Sequence, residues 1–268
     1  MTTPFHFKAG HAPLLISMPH VGTLLPTEIA ATMDPVAQQK ADTDWHLPLL
    51  YNMAEQLGAS IITAKYSRYV IDLNRPMEDS NLYPGQDTTG LCPVDTFAKQ
   101  PLYPNGYVLD KELIASRIES YWQPYHRQLG AELERLKALH GKVVLWDAHS
   151  IASVVPRFFE GRLPDFNFGT ADDKSCAHEL QLCLKQTISN SLNAGFSHVF
   201  NGRFKGGYIT RHYGQPGKNI HAVQLEMSQR IYMDERAPYD YLPDRAAEVQ
   251  PLLHELLTAC INWAKKKD

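Results

Sequence analysis

The chain has 268 residues, 44% hydrophobic and 21% charged, with a net charge of −3. That balance excludes a disordered polypeptide, and near-neutrality removes the basic footprint of a binder of nucleic acid or anionic membrane. Surface scaling leaves about 12,000 Å² exposed of about 44,000 Å² in the extended chain, enough for one large core in a single domain over residues 1–268.

No basic segment followed by an apolar run opens the chain, so no signal peptide is read, and no apolar stretch is long enough to span a bilayer. Leu14–Met18 predicts a buried strand. Residues 47–57 predict a short helix with Leu50, Met53, Ala54 and Leu57 on one face and Gly58 as its stop. Residues 60–64 and 69–73 predict two more strands. Residues 74–104 carry five prolines and two glycines and read as a long irregular, functional segment. Residues 110–140 have the longest helical pattern, from Leu113 to Leu136, with Pro124 expected to kink or split it and Gly141 to end it. Strands follow at 143–146, 198–200 and 222–225, and helices at 173–192 and 244–263. Short apolar runs alternating with helical patterns predict an α/β fold. The four cysteines form no CxxC, so neither a thiolate zinc site nor a disulfide framework is indicated, and a reducing cytoplasm suits this usage. Lys265-Lys266-Lys267 reads as a solvated tail.

Three of the predicted strands end alike. Leu14–Met18 runs into Pro19-His20, 143–146 into Asp147-Ala148-His149-Ser150, and 222–225 into Glu226. Ligands of open α/β sheets gather outside the carboxyl ends of strands, so His20, His149 and Glu226 are expected to converge. Imidazoles with carboxylates point to a divalent metal, zinc first, which in catalytic sites takes three protein ligands. Asp42-Thr43-Asp44 supplies two candidates for the third, and Asp147 is near enough to hold the His149 tautomer. The competing reading has satisfied loop histidines and helix-capping acids. There is no HExxH, GxSxG, GxGxxG or GxxxxGK. Asn74-Arg75, after an apolar run that begins at Arg68-Tyr69, offers a guanidinium fork for a carboxylate, and Arg211-His212 in a glycine-flanked segment offers a second cationic pair.

In order along nearly the whole chain, Ser17-Met18-Pro19-His20-Val21-Gly22, Asp42-Thr43-Asp44-Trp45, Ile71-Asp72-Leu73-Asn74-Arg75-Pro76, Trp146-Asp147-Ala148-His149-Ser150 and Gln224-Leu225-Glu226-Met227-Ser228 resemble the N-formylglutamate amidohydrolase family of histidine degradation. Thr88-Thr89-Gly90-Leu91-Cys92-Pro93 and Arg211-His212-Tyr213-Gly214-Gln215-Pro216-Gly217 are similar to its glutamate-specific branch. The resemblance implies a zinc-carboxypeptidase-like three-layer α/β/α sandwich over a mixed, mostly parallel sheet of eight strands. It implies His20, one of Asp42 or Asp44, and His149 as zinc ligands. Asp44 is preferred because its spacing to the following apolar residues suits the family pattern, which leaves Asp42 and Asp147 as supporting acids. It implies Glu226 as general base and acid, and makes Asn74-Arg75 similar to the Asn-Arg pair with which carboxypeptidases hold a substrate carboxylate. In the mechanism expected from these residues Arg68 helps the oxyanion, and Arg75 with Arg211 or His212 binds the two carboxylates of a small dicarboxylate N-acyl amino acid. The expected reaction is hydrolysis of N-formyl-L-glutamate in the cytoplasm, with no nucleic-acid or membrane partner. The alternatives are an aspartoacylase-like deacylase or small carboxypeptidase and, in another class, a non-catalytic metal- or anion-binding protein.

Overall fold

The computed structural model describes residues 3–190 and 195–266. Its frame is a sheet of seven strands among those residues, where eight were expected: β1 (Phe5–Lys8), β2 (Leu14–Met18), β3 (Ser60–Ala64), β4 (Val143–Ile151), β5 (Phe166–Gly169), β6 (His198–Phe200) and β7 (Ile220–Ser228). Their spatial order is β1-β3-β2-β4-β7-β5-β6. The β3-β2-β4-β7 core is parallel, β1 joins it antiparallel at one edge, and β5 lies antiparallel on β7 with β6 parallel beside it. The sheet is therefore mixed and mostly parallel. The helices are α1 (Thr27–Ala30), α2 (Leu47–Leu50), α3 (Lys111–Arg117), α4 (Gln123–His140), α5 (His178–Asn190), α6 (Tyr208–Tyr213) and α7 (Pro243–Lys265).

Alternate residues of the central strands feed two cores on opposite faces, as the two-residue period of a strand requires. Leu14, Ile16, Val144 and Trp146 pack with Leu180 and Leu184 of α5 and Val249, Leu253 and Leu257 of α7. Leu15, Val143, Leu145 and Ala222 turn the other way onto Tyr125, Leu129 and Leu133 of α4 and Ile209 of α6. Helices on both faces explain why β4 and β7 are buried along all nine residues. Among the described residues no helix is long and apolar enough to cross a membrane.

Several elements differ from expectation. The ladder between β4 and β7 does not stop at the first polar residue: it continues through Asp147↔Gln224, His149↔Glu226 and Ile151↔Ser228. His149 and Glu226 therefore lie inside strands and face each other in register, rather than on the loops beyond them. Residues 69–73 are not a strand. Their backbone turns back on itself (Val70 N–H to Ser67 O, 2.9 Å), and the run is apolar because Tyr69 faces one core and Val70, Ile71 and Leu73 another. Residues 47–57 break after α2 into a short 3-10 turn at Asn52–Ala54, although Gly58 does end the segment with φ 76°. Residues 173–177 precede α5 because Asp173 sits at φ 68° with its carboxylate held by Thr170 and Asn201. Leu192, at the expected end of that helix, and Lys267 of the basic tail lie outside the described residues. Residues 208–213 form α6, while β1 and β5 carry too few alternating residues to announce themselves.

The helical run over 110–140 is one stack. Asp110 caps it by accepting from Leu113 N–H (2.9 Å), and Gly141 closes it at φ 80°. Pro124 has no N–H and would crowd the carbonyl one turn back; a π turn at Ile118–Trp122 widens the helix there. Beneath that turn His126 stacks on Trp122 at 3.8 Å, with Nε2 2.8 Å from Leu73 O. Burial pushes His126 down to about 3, with Leu73 O opposing the shift. The folded chain thus refuses a proton that the unfolded chain binds below about pH 6.5, and stability is lost as pH falls through that window. Urea unfolding should show about 2 kcal/mol less of this loss between about pH 7 and about pH 5 in His126→Gln than in the wild type.

Candidate metal and substrate site

Central strands rarely carry charge, because a buried ion costs several kcal/mol unless it is paired. β4 nevertheless holds Asp147 and His149, and β7 holds Glu226, on the face that also carries Leu145 and Ala222. His20 leaves the end of β2, and its carbonyl receives the Asp44 N–H (3.1 Å), which pins the 42–45 loop across the strand ends.

His20, Asp44 and His149 offer ligand atoms that all lie within 4.8 Å of one another, and all three residues are buried. Each imidazole turns one nitrogen to Asp44 and anchors the other on a separate carboxylate. His20 Nδ1 lies 3.7 Å from Asp44 Oδ2 and its Nε2 2.7 Å from Asp72 Oδ1. His149 Nδ1 lies 3.0 Å from Asp44 Oδ2 and its Nε2 3.2 Å from Asp147 Oδ2. A carboxylate behind each imidazole is the arrangement that fixes ring orientation in metal sites. Two imidazoles with one carboxylate form a donor set that zinc takes.

The electrostatics agree with a cation site. Burial works against a charge on Asp44, but hydrogen bonds to His149 and His20 outweigh it and hold the carboxyl well below its usual range. Asp72 is likewise held low, against burial, by His20 and Arg68, whose Nη2 donates to it at 2.6 Å. Burial also opposes charge on His149, yet Asp147 and Asp44 carry it well above 6.5. Glu226 goes the opposite way. Burial raises it to about 8 despite the pull of His149, which leaves a carboxyl that can both take and give a proton near neutrality.

The cluster opens on a cleft of about 620 Å³, counting its mouth, lined by Arg68, Arg75, Thr89, Phe97, Arg203 and Glu226 among others. Arg68 lies over the Phe97 ring at 4.8 Å, with Nη1 3.9 Å from Asp44 Oδ1. Asn74 is wholly engaged by the protein. Its N–H donates to Asp72 Oδ1 (2.8 Å), its Oδ1 accepts from Ile209 N–H (2.8 Å), and its Nδ2 lies 3.0 Å from His149 Nε2. A side chain at Gly207 would collide with that carboxamide, so glycine is required there. Arg75 has its N–H on Asp72 O (3.2 Å) and its carbonyl on Trp122 Nε1 (2.9 Å), which fixes the backbone from which its side chain reaches the cleft.

Other expected residues stand further back. Asp42 neither caps a helix nor joins the cluster. Its carboxylate accepts from Phe97 N–H (2.9 Å) and its own N–H meets Tyr69 Oη (3.3 Å), so it shapes the loop that carries Phe97. Arg211 donates from Nε to Gly206 O (2.8 Å) and lies over Tyr83 at 5.3 Å. His212 stacks on Tyr208 at 4.8 Å. Neither lines the cleft, whereas Arg203, unforeseen from the sequence, does. Asp72 is a second residue that the sequence does not single out: it sits in an apolar run, and its spacing of four from Arg68 and two from Asn74 is the available signal.

The family model described as N-formylglutamate amidohydrolase matches residues 12–233. A curated relative from Pseudomonas aeruginosa, described as N-formylglutamate deformylase, is 50% identical over 261 residues, 97% of each chain. Another so described, from Pseudomonas putida, is 48% identical with the same coverage. A crystal structure of an N-formylglutamate amidohydrolase from Ralstonia eutropha JMP134 superposes with a TM-score of 0.80 at 22% identity over 98% of each chain. A gene product from Agrobacterium tumefaciens does so with a TM-score of 0.75 at 17% identity, over 99% of this chain and 97% of that one. At those identities the two structures speak for the fold, while the family model and the two close relatives decide membership: the chain belongs to the N-formylglutamate amidohydrolase family.

Proposed function

We propose that the protein hydrolyses N-formyl-L-glutamate to L-glutamate and formate, with zinc held by His20, Asp44 and His149. The observation that carries this reading is the convergence of those three buried side chains beside Glu226, each imidazole backed by its own acid. The descriptions of the two close relatives supply the substrate. Bound there, zinc supplies a Lewis acid for the formyl oxygen and lowers the pKa of water. Glu226 takes a proton from the attacking water and returns it to the amide nitrogen as the C–N bond breaks. Arg68, immobilised by Asp72, faces the oxygen on which charge develops. Asp72 and Asp147 keep the two imidazoles aimed, with Asn74 beside His149. Arg75 binds the α-carboxylate. Arg211 and His212 stand behind the wall, against Tyr83 and Tyr208. All four cysteines are free, in keeping with a reducing cytoplasm as the setting for this step of histidine degradation.

Formate and acetate release from the N-formyl and N-acetyl derivatives of glutamate and aspartate, with and without chelator, tests the reading. N-formylglutamate should be the fastest substrate, the chelated protein should be inactive, and zinc should restore it. Full activity after chelation would remove the metal from the mechanism. A preference for N-acetylaspartate would make the protein an aspartoacylase-like deacylase, and no hydrolysis of any substrate would leave a binding protein.

A further inference from the structure

Three arginines reach the cleft. Arg68 is neutralised by Asp72 and Asp44. Arg75 and Arg203 make no ion pair among the described residues; the charge of Arg75 weighs on Arg203, and the more distant Asp72 and Glu226 act on Arg75 and Arg203 in the opposite sense. Two unpaired cations in a half-buried cleft cost free energy that a single carboxylate would offset only in part; a ligand with two carboxylates neutralises both.

Arg203 has the more rigid mounting. Its Nε donates to Phe158 O (2.5 Å), and its guanidinium lies against the rings of Tyr83 (5.4 Å), Phe158 (5.8 Å) and Phe204 (5.3 Å). Tyr83 is itself tied by its hydroxyl to Gly206 O (2.9 Å). This cage holds the plane of the fork, and the terminal nitrogens have no protein acceptor among the described residues, so they remain for a ligand. A second observation points the same way. Thr89 lines the same cleft and is only 4% exposed, and its Oγ1 has no hydrogen-bond partner among the described residues. A buried hydroxyl left unsatisfied carries a desolvation cost that a bound anion would recover.

Resting on the reading of the site given above, we propose that Arg203 is its specificity-determining residue: its fork binds the side-chain carboxylate of a dicarboxylic N-formyl amino acid, with Thr89 Oγ1 donating to the bound substrate. The division of labour follows from the covalent geometry of such a substrate. The α-carboxylate shares its carbon with the amide nitrogen that is cleaved, so it stays near the reacting centre. Arg75 follows directly on Asn74, which touches His149, and so stands where that group must lie. The side-chain carboxylate reaches further out. Arg203 enters from the segment after β6, braced by rings from two other loops.

Steady-state kinetics on N-formyl-L-glutamate and its uncharged isostere N-formyl-L-glutamine test this, with zinc content and thermal midpoint as folding controls. Arg203→Ala should lower kcat/KM for N-formylglutamate by about 100-fold or more and change that for N-formylglutamine by less than about fivefold, so that the preference between them collapses. Arg203→Lys should recover part of the preference, and Thr89→Val should cost about tenfold on the charged substrate. An equal loss on both substrates with normal zinc content would place Arg203 elsewhere than on the side-chain carboxylate, and an unchanged preference would overturn the proposal. Should Arg203→Ala not fold, Arg203→Met keeps the aliphatic stem in the ring cage and should show the same collapse of preference. If the wild type releases formate from neither substrate, it is the underlying reaction that fails; if the wild type is active and Arg203→Ala keeps its preference, only the role of Arg203 does.

Discussion

Glu226→Gln is expected to lower kcat for formate release by about a thousandfold or more, while the protein keeps its full complement of zinc. Glutamine matches glutamate in shape and removes only the capacity to take and return a proton. Glu226 is well placed for that work. It lies opposite His149 in the β4–β7 register and lines the cleft, yet it is not one of the three residues whose ligand atoms converge. Its backbone is held independently, since its carbonyl accepts from Asn167 Nδ2 (3.0 Å), so the substitution should leave the strand in place. Burial lifts its carboxyl to about 8, against the pull of His149, and a dication at the cluster would draw it back toward neutrality, where a proton carrier is most effective. Activity should therefore rise with pH through the titration of this group in the wild type, and that limb should vanish in the variant. Turnover above about a tenth of wild type would remove Glu226 from proton transfer, the loss of which is ordinarily worth about 10²–10⁴-fold. Loss of zinc instead of turnover would make it a ligand.

How far the site can be read in advance depends on the kind of signal each residue leaves. His20, His149 and Glu226 interrupt apolar strand patterns, and a polar residue in a buried strand is conspicuous because its desolvation must be offset by a partner or a function. The rule that ligands gather at the carboxyl ends of parallel strands then brings them together, although it misplaces two of them onto loops: hydropathy stops at Asp147 and Glu226, whereas the backbone ladder runs on to Ile151 and Ser228. Asp44 is separable from Asp42 only through a family pattern, and in space the difference is plain, one carboxylate facing two imidazoles and the other a backbone N–H of the 94–101 loop. Asp72 is hidden by its neighbours. Val70, Ile71 and Leu73 are apolar because they fill a core, and nothing local distinguishes that from a strand. Arg203 is out of reach for a different reason: its role depends on rings contributed by residues 83, 158 and 204, a long-range arrangement that no window of sequence contains.

Asp44→Asn should weaken zinc binding by more than about 100-fold, beyond the effect of Asp72→Asn, and the comparison separates a ligand from a residue that aims one. Among the described residues Asp44 is the one carboxylate that both imidazoles face. Without its charge, His20, His149 and Arg68 surround a neutral amide, and a dication brought among them meets no anion at the centre. Asp72 acts one step removed: it anchors His20 Nε2 and Arg68 Nη2 without being a member of the converging set. Loosening such an anchor ordinarily costs about 10–100-fold in metal affinity. Asp72→Asn should therefore retain zinc at high concentration and regain part of its turnover there, whereas Asp44→Asn should not recover at any practical concentration. Competition for zinc against a chromophoric chelator measures both affinities on one scale, and circular dichroism confirms that each variant is folded. Equal affinities for the two variants would deny Asp44 its place as a ligand. A stoichiometric, tightly held zinc in Asp44→Asn would move the acidic ligand to Asp147, whose Oδ1 is buried without a hydrogen-bond partner among the described residues and whose Oδ2 already lies 3.2 Å from His149.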